Sequence, residues 1–219
     1  EYAECIKRLG GVEKPAKCFA IVVEALEHNP DQDFLGKLYM SLELGNHWKG
    51  QFFTPYNVCE CMASITINDN VQTLEKQEWI SVNDPACGAG ATLVAAANIF
   101  HRKKINYQTR VLFTANDIDR VVAQMCYIQL SLLGCAGWVA VANTISNPVC
   151  GDPLMPVEKP GQEFWYTPFY FREEWNCRRQ VQIFKEICGS WITPIEERNP
   201  GKITFYFDFE KGEYKCQNS

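Results

Sequence analysis

A glycine-rich turn is the first segment whose residue types could do chemistry. Asp84–Gly90 reads Asp-Pro-Ala-Cys-Gly-Ala-Gly, follows the apolar run Trp79–Val82 and precedes an alanine-rich stretch. Glycines in such a turn let the backbone approach a ligand, and the N-terminus of a following helix favours an anionic or carboxylate group. The segment is neither a dinucleotide fingerprint, because Leu93 stands where a third glycine is needed, nor a Walker A loop. We predict a ligand-binding turn. The alternative is a tight turn in which glycine is needed only because a side chain would not fit.

Two acidic residues follow at the ends of later predicted strands. Asp117 comes just after the run Val111–Thr114, and in doubly wound folds an acid at this position hydrogen-bonds ribose hydroxyls. Asp119 is predicted to cap the next helix, and helix capping is also the alternative role for Asp117. Asp152 lies in Gly-Asp-Pro-Leu at the end of a third predicted strand, Val139–Ile145. It could accept from the amino group of a bound adenine, or it could simply form a β-turn.

The elements that must position these residues alternate between strand and helix. Strands ending near Asp84, Asp117 and Asp152 are separated by predicted helices over 91–101 and 121–133. This alternation indicates βαβ units and a parallel sheet, which is an α/β fold.

The flanking segments read differently. Apolar spacing predicts helices over 19–26 and 34–42, and Thr54 and Pro55 suit the N-cap and first position of a third helix. Residues 66–78 are rich in Asn and Asp and are predicted to be a loop, as is the proline-containing segment 153–163. The aromatic run 163–171 is strand-like, 177–191 has helical spacing, and 203–215 reads as a β-hairpin.

Composition excludes several classes of protein. The 219 residues carry 21 Lys+Arg and 26 Asp+Glu, a net charge of −5. Contact with nucleic acid must therefore be local, shared with a partner, or absent. The eleven cysteines are scattered through predicted helices and strands, and nothing resembles a signal peptide or a completed zinc site. We expect reduced cysteines, no metal, no membrane segment and a cytoplasmic location.

Four ordered segments carry a family resemblance. They are Gln51–Pro55, Asp84–Gly90, Asn116–Asp119 and Gly151–Leu154. Together they resemble the cofactor-binding half of the adenine-N6 DNA methyltransferases, and above all the modification subunit of type I restriction–modification systems. Ala89 replaces the usual Ser and Pro153 the usual Thr, and the resemblance covers roughly residues 48–155.

The resemblance implies a fold and a cofactor. The fold is a Rossmann-like S-adenosylmethionine-dependent methyltransferase core over residues 50–219, altered in its C-terminal half, with a helical segment over 1–49 and a C-terminal β-hairpin closing the sheet edge. The implied cofactor is S-adenosyl-L-methionine. By the resemblance, Phe53, Thr54 and Pro55 contact the methionine end of the cofactor, and the turn beneath it consists of Asp84, Ala86, Cys87, Gly88 and Gly90. Asp117 binds the ribose, Ile118 packs on the adenine ring, and Asp152 accepts from the adenine amino group.

The catalytic signature of that family is missing. Its members bind the flipped target adenine with Asn/Asp-Pro-Pro-Tyr/Phe/Trp, whose oxygens accept from N6 while the aromatic ring stacks on the base. Here Tyr166-Thr167-Pro168-Phe169 keeps only a proline and an aromatic residue. Tyr166, Pro168 and Phe169 are therefore the catalytic candidates, and the alternative is that this aromatic run packs as core. No target-recognition domain is visible.

Three functional hypotheses follow. The first is an adenine-N6 DNA methyltransferase-like protein of a restriction–modification or mobile-element system. The second is a catalytically silent cofactor-binding subunit that regulates or completes a partner methyltransferase, and the third is methyl transfer to a substrate other than DNA. The expected partner is DNA, bound directly or through a partner subunit, with a specificity subunit or a second copy as candidates.

Overall fold

The computed structural model describes residues 2–42 and 53–191 together with the strand segments Thr204–Asp208 and Glu213–Gln217. The chain divides into two compact units, Glu1–Cys177 and Arg178–Ser219. The predicted boundary between residues 49 and 50, and the first two residues of the Gln51–Pro55 motif, lie outside the described residues.

Eight α-helices are described, and each of the six predicted helices corresponds to one of them. They are α1 (Tyr2–Leu9), α2 (Glu13–His28), α3 (Phe34–Ser41), α4 (Tyr56–Lys76), α5 (Ala91–Arg102), α6 (Tyr107–Arg110), α7 (Arg120–Leu132) and α8 (Glu173–Trp191). A 3₁₀ helix covers Pro168–Phe171. The described strands are β1 (Ile80–Asp84), β2 (Val111–Asp117), β3 (Ala136–Val141), β4 (Cys150–Asp152), β5 (Met155–Val157), β6 (Glu163–Tyr166), β7 (Thr204–Asp208) and β8 (Glu213–Gln217).

The main sheet has four strands in the order β1-β2-β3-β6. The first three are parallel, with α5 and α6 between β1 and β2 and α7 between β2 and β3, whereas β6 runs antiparallel to β3. One face buries Phe113, Ala115 and Val139 against α4, α5 and α7. The other buries Leu112 and Trp138 beneath a cluster formed by the following elements, Leu154, Tyr170 and Trp175. The α/β prediction with a mostly parallel sheet is confirmed.

The predicted loop over 66–78 is wrong, because α4 continues to Lys76. Asn and Asp lower helix propensity, but Ile67 and Leu74, two turns apart, are both buried. Arg110 also donates to the carbonyls of Leu74 and Gln77, near the end of the helix, where carbonyls lack intrahelical partners. Tertiary burial and a side-chain cap therefore outweigh local composition.

The segment around Asp152 also differs from its prediction. The third parallel strand ends at Val141, and Asp152 instead ends β4, which pairs with β5 inside the predicted loop. Asp152 Oδ1 accepts from the Leu154 amide at 2.8 Å, a local turn bond. The antiparallel strand beside β3 is β6. Closure of the sheet edge by the C-terminal hairpin stays a prediction. β7 and β8 pair antiparallel with each other in a separate two-stranded sheet.

Gln129 connects the N-terminal helices to the core. Its fully buried amide donates from Nε2 to Asp33 Oδ1 and to the Ala89 carbonyl, both at 2.8 Å. Its Oε1 accepts from the Leu35 amide at 3.1 Å. One side chain on α7 therefore fixes both the start of α3 and the turn that follows β1.

A second contact holds the same helices at α4 and α5. Asn98 donates to the Pro30 carbonyl at 2.8 Å, and the Tyr56 hydroxyl donates to Asp31 at 2.7 Å. Burial raises the pKa of Tyr56 to about 12, so its hydroxyl stays a donor at neutral pH. None of the described helices is both long enough and apolar enough to cross a lipid bilayer.

We predict that Gln129→Leu lowers the free energy of unfolding by about 2–4 kcal/mol, because Asp33, Ala89 and Leu35 all lose a buried partner. Gln124→Leu on the same helix is the matched control and should change stability by less than about 0.5 kcal/mol. Urea unfolding followed by circular dichroism measures both. Equal losses from the two variants would contradict the role given to Gln129.

Candidate functional site

The turn after β1 is fixed by the carboxylate of Asp84. Its Oδ1 accepts from the Ala86 amide at 3.0 Å, and its Oδ2 accepts from the Thr92 hydroxyl on α5. The Cys87 amide donates to the Asn116 carbonyl at 2.9 Å, which ties the turn to β2. Asp84 therefore shapes the turn through local bonds.

Gly88 and Gly90 have backbone conformations that favour glycine. Their φ angles are +52° and +95°. A Cβ on Gly90 would lie 2.7 Å from Cys126 Sγ, and one on Gly88 would lie 3.4 Å from the Phe53 ring. The turn thus packs closely on α7 at one glycine and beside an aromatic ring at the other.

Asp117 joins the turn at the end of β2. Its Oδ2 accepts from the Gly88 amide at 2.8 Å, and its Oδ1 accepts from the Asp119 amide at 2.9 Å. Asp119 itself caps α7 by accepting from the Val121 amide at 2.9 Å. The carboxylate of Asp117 is held by two backbone N–H groups, and the next side chain, Ile118, is 68% exposed.

A cavity of about 180 Å³ lies between the glycine turn and Asp117. Seven predicted cofactor residues line it: Phe53, Thr54, Asp84, Ala86, Cys87, Gly88 and Asp117. Phe53 stacks on Tyr39 of α3, with ring centroids 5.6 Å apart. Pro55 lines a neighbouring opening of about 560 Å³ that shares Phe53 and Thr54 with the cavity. Gly90 packs behind the turn against α7.

Two thiols near the cavity are neutral. Burial raises the pKa of Cys59 to about 11. The pKa of Cys126 is raised by a hydrogen bond with Cys87 and by burial. The cysteines whose side chains are described are all free. Cys59 and Cys126 act as small buried groups, because nucleophilic or metal-binding cysteine requires the thiolate.

Asp152 is not brought to this cavity. It lines a separate hollow of about 240 Å³ together with Asn83, Thr114 and Asn116. These residues of β1 and β2 alternate with Asp84 and Asp117, so the hollow lies on the other face of the sheet. The structure brings the first three motifs together and leaves the fourth apart.

The catalytic candidates also lie elsewhere. Tyr166 pairs opposite Trp138 in the sheet and contacts the Tyr170 ring at 4.8 Å between centroids. Pro168 begins the 3₁₀ helix, and Phe169 lies 3.9 Å from the Arg172 guanidinium. None of the three lines the cavity. Tyr166 and Phe169 pack against the cluster of Trp138 and Tyr170, as the core alternative predicts, whereas Pro168 is exposed.

Several lining residues were not predicted from the sequence. Cys59, Ala89, Ala91, Thr92 and Val122 also line the cavity. Thr92 had a usable signal, because a Thr two residues after the last glycine of a turn stands in the first turn of the following helix. Cys59 and Val122 had none, since their role depends on how α4 and α7 pack. Among the described residues no group of His, Cys, Asp or Glu side chains could hold a metal ion.

The chain matches the family model described as N-6 DNA Methylase over residues 31–168, more than half of its 219 residues. The chain belongs to the N-6 DNA methylase family. The match contains the glycine turn, Asp117 and Asp152, and it supports an adenine-N6 methyltransferase-like function. No curated protein and no solved structure matches the chain.

We predict that Gly90→Ala destabilises the protein by about 3 kcal/mol, since it adds a collision with Cys126 to the strain of a positive φ. Gly10→Ala is the matched control, because Gly10 has φ +78° and a Cβ added there would meet nothing within 4 Å. It should cost about 1–2 kcal/mol. Thermal unfolding compares the two; a smaller loss at Gly90 than at Gly10 would show that the turn does not pack as described.

We predict that Cys59 resists alkylation in the folded protein. With a pKa of about 11 its thiolate fraction at pH 8 is about 10⁻³, and the side chain is fully buried. Cys61, exposed on the same helix, is the internal control. Iodoacetamide labelling followed by peptide mass spectrometry should show Cys61 modified at least tenfold faster. Similar rates would mean that α4 does not cover the cavity.

Proposed function

We propose that the cavity between the glycine turn and Asp117 binds S-adenosyl-L-methionine, and that the chain is the cofactor-binding component of an adenine-N6 DNA methyltransferase. One observation carries the proposal. Asp117 at the end of β2 is held against the Gly88 amide of the turn after β1, in a chain of the N-6 DNA methylase family. This is the crevice at the carboxyl ends of parallel strands where nucleotide-like ligands bind in doubly wound folds.

The donors and acceptors around the cavity suit this cofactor. Asp117 keeps carboxylate lone pairs that can accept from the vicinal hydroxyls of a ribose. Gly88 lacks a side chain where the ligand must approach the backbone. Phe53 and Thr54 also line the cavity, and exposed Ile118 is available for apolar contact with a base. When bound, S-adenosylmethionine supplies an electrophilic methyl group.

The protein's own groups orient and exclude rather than react. The Asp117 carboxylate would hold the ribose of a bound cofactor. The Phe53 ring lies beside Gly88 of the turn, and the buried Cys59 thiol that also lines the cavity stays protonated. The described cavity of about 180 Å³ is smaller than the roughly 300 Å³ of ordinary small-molecule sites. It would therefore hold part of the cofactor, with the remainder in the openings beside it.

The acceptor side favours a second candidate within the same proposal. The aromatic segment Tyr166–Phe169 packs away from the cavity, and the sequence carries no Asn-Pro-Pro-aromatic tetrapeptide. These observations favour a subunit that completes a partner methyltransferase over an enzyme that methylates adenine alone. With a net charge of −5, contact with DNA would be shared with that partner. We place it in a cytoplasmic restriction–modification or mobile-element system.

Calorimetry with S-adenosylhomocysteine tests the cofactor assignment. We expect the wild type to bind and Asp117→Asn to bind at least tenfold more weakly, because a charged acceptor contributes about 1.5–3 kcal/mol per hydrogen-bonded pair. Asp119→Asn is the matched control. Asn caps helices as well as Asp does, and Asp119 does not line the cavity.

Two results would contradict the assignment. One is the absence of binding by folded wild-type protein. The other is an equal loss in both variants, which would place the ribose away from Asp117.

A further inference from the structure

The outer edge of β1 is open. β2 pairs with one edge of β1, and no other described strand of the unit Glu1–Cys177 pairs with the opposite edge. The Val82 carbonyl accepts from the Thr114 hydroxyl on β2 at 3.4 Å, and backbone groups of successive strand residues point to alternate sides. The N–H and C=O groups of Ser81 and Asn83 therefore face the open side. Parallel sheets are normally covered, and such an edge is a template for another strand.

A groove of about 740 Å³ runs along this edge, between β1 and helices α4 and α5. Its apolar lining includes Met62, Ile67, Val82, Leu93 and Phe100. Among the described residues that line it, only Asp84 carries a charge. The groove offers no cation to a phosphate, so its chemistry suits an apolar polypeptide rather than a nucleic acid.

The surface of α4 extends the apolar region. Val58, Met62 and Ile65 are all exposed and recur at i, i+4 and i+7 on one side of the helix. Such a stripe normally faces a packing partner. A structural element that follows a strand seated in the groove would cover it.

The groove is continuous with the proposed cofactor cavity. The residues that line both are Thr54, Cys59, Asp84, Ala86 and Thr92. In a doubly wound sheet the ligand crevice forms where strands leave the first strand in both directions. In the described sheet, β2, β3 and β6 all lie on the same side of β1. The cavity therefore lacks the wall that a strand on the open side of β1 would supply.

We propose that a separate protein chain adds a β-strand parallel to β1, with its apolar side chains in the groove and its carboxyl end beside the cavity. This inference rests on the proposed function, because the added strand would carry acceptor-binding groups to the cofactor. A second copy of the same chain does not fit as well. Two-fold symmetry would pair the two β1 strands antiparallel and put each partner's carboxyl end at the far end of the groove.

Site-specific photo-crosslinking tests the interface in cells of the protein's source. A benzoylphenylalanine replaces Met62 in the full chain, and the same residue at Ile145, which is 94% exposed and outside the groove, is the control. We expect position 62 to cross-link to one segment of another protein with at least tenfold the yield of position 145. That protein, purified and added back, should slow hydrogen exchange of the Asn83 amide at least tenfold.

Two variants at one position separate the backbone from the side chain. Asn83→Pro removes the N–H that faces the groove and should lower the cross-link yield at least tenfold. Asn83→Ala removes the Asn83 side chain, as the proline variant does, but keeps the N–H. It should therefore cross-link as the wild type does. If the proline variant fails to fold, Ile65→Glu replaces it, because it charges the exposed stripe without touching the sheet.

Four results would overturn the proposal: cross-links only to a second copy, cross-links only within the chain, no excess over position 145, or a captured protein that leaves Asn83 exchange unchanged. Calorimetry with S-adenosylhomocysteine on the same preparations separates the two proposals. Binding without a cross-link removes only the interface. A cross-link without binding, with or without the partner, removes the cofactor assignment.

Discussion

The hydrogen bond from the Gly88 amide to Asp117 is the contact on which the candidate site depends. It joins the turn after β1 to the end of β2, and the Cys87 amide repeats the connection at the Asn116 carbonyl. Because both strands end in the same place, the backbone of one loop and the carboxylate of the other face a single cavity. Because the Gly88 amide donates to the Asp117 carboxylate, it also fixes the direction of the remaining lone pairs of that carboxylate.

The elements that the sequence predicts correctly are those whose local pattern agrees with their tertiary packing. The strand, glycine turn and helix over 80–102 and the strand ending at Asp117 have the predicted type and nearly the predicted bounds, because a two-sided apolar strand and an alanine-rich helix have few other solutions. The seven cavity residues were assigned through the family resemblance that the ordered motifs carry. Asp152 was expected beside them, but the chain leaves β3 at Val141 and crosses to the other face of the sheet. Nothing in its short Gly-Asp-Pro-Leu segment encodes that crossing.

Long-range packing explains the other differences. The polar second half of α4 has the composition of a loop. It is helical because Arg110, from a distant segment, donates to carbonyls at the end of the helix. The aromatic strand β6 was expected near the catalytic position and lies instead against β3, where Trp138 and Tyr170 receive its rings. Each of these differences depends on a packing partner that is far away in the sequence, and the spacing of residues within a segment does not reveal such a partner. The open edge of β1 belongs to the same class, since no local pattern states that a strand lacks a neighbour.

The amide of Gln129 also orders events during synthesis on the ribosome. Its partner Asp33 is made 96 residues earlier, so α2 and α3 leave the ribosome well before their anchor exists. At about 5–20 residues per second, that interval lasts about 5–20 s. During it the apolar side chains of the first helices have no core to bind. Once the glycine turn has been made, its Ala89 carbonyl has no donor until Gln129 follows 40 residues later. The nascent chain therefore presents a helical segment first, and the glycine turn gains its last buried hydrogen bond only when α7 docks.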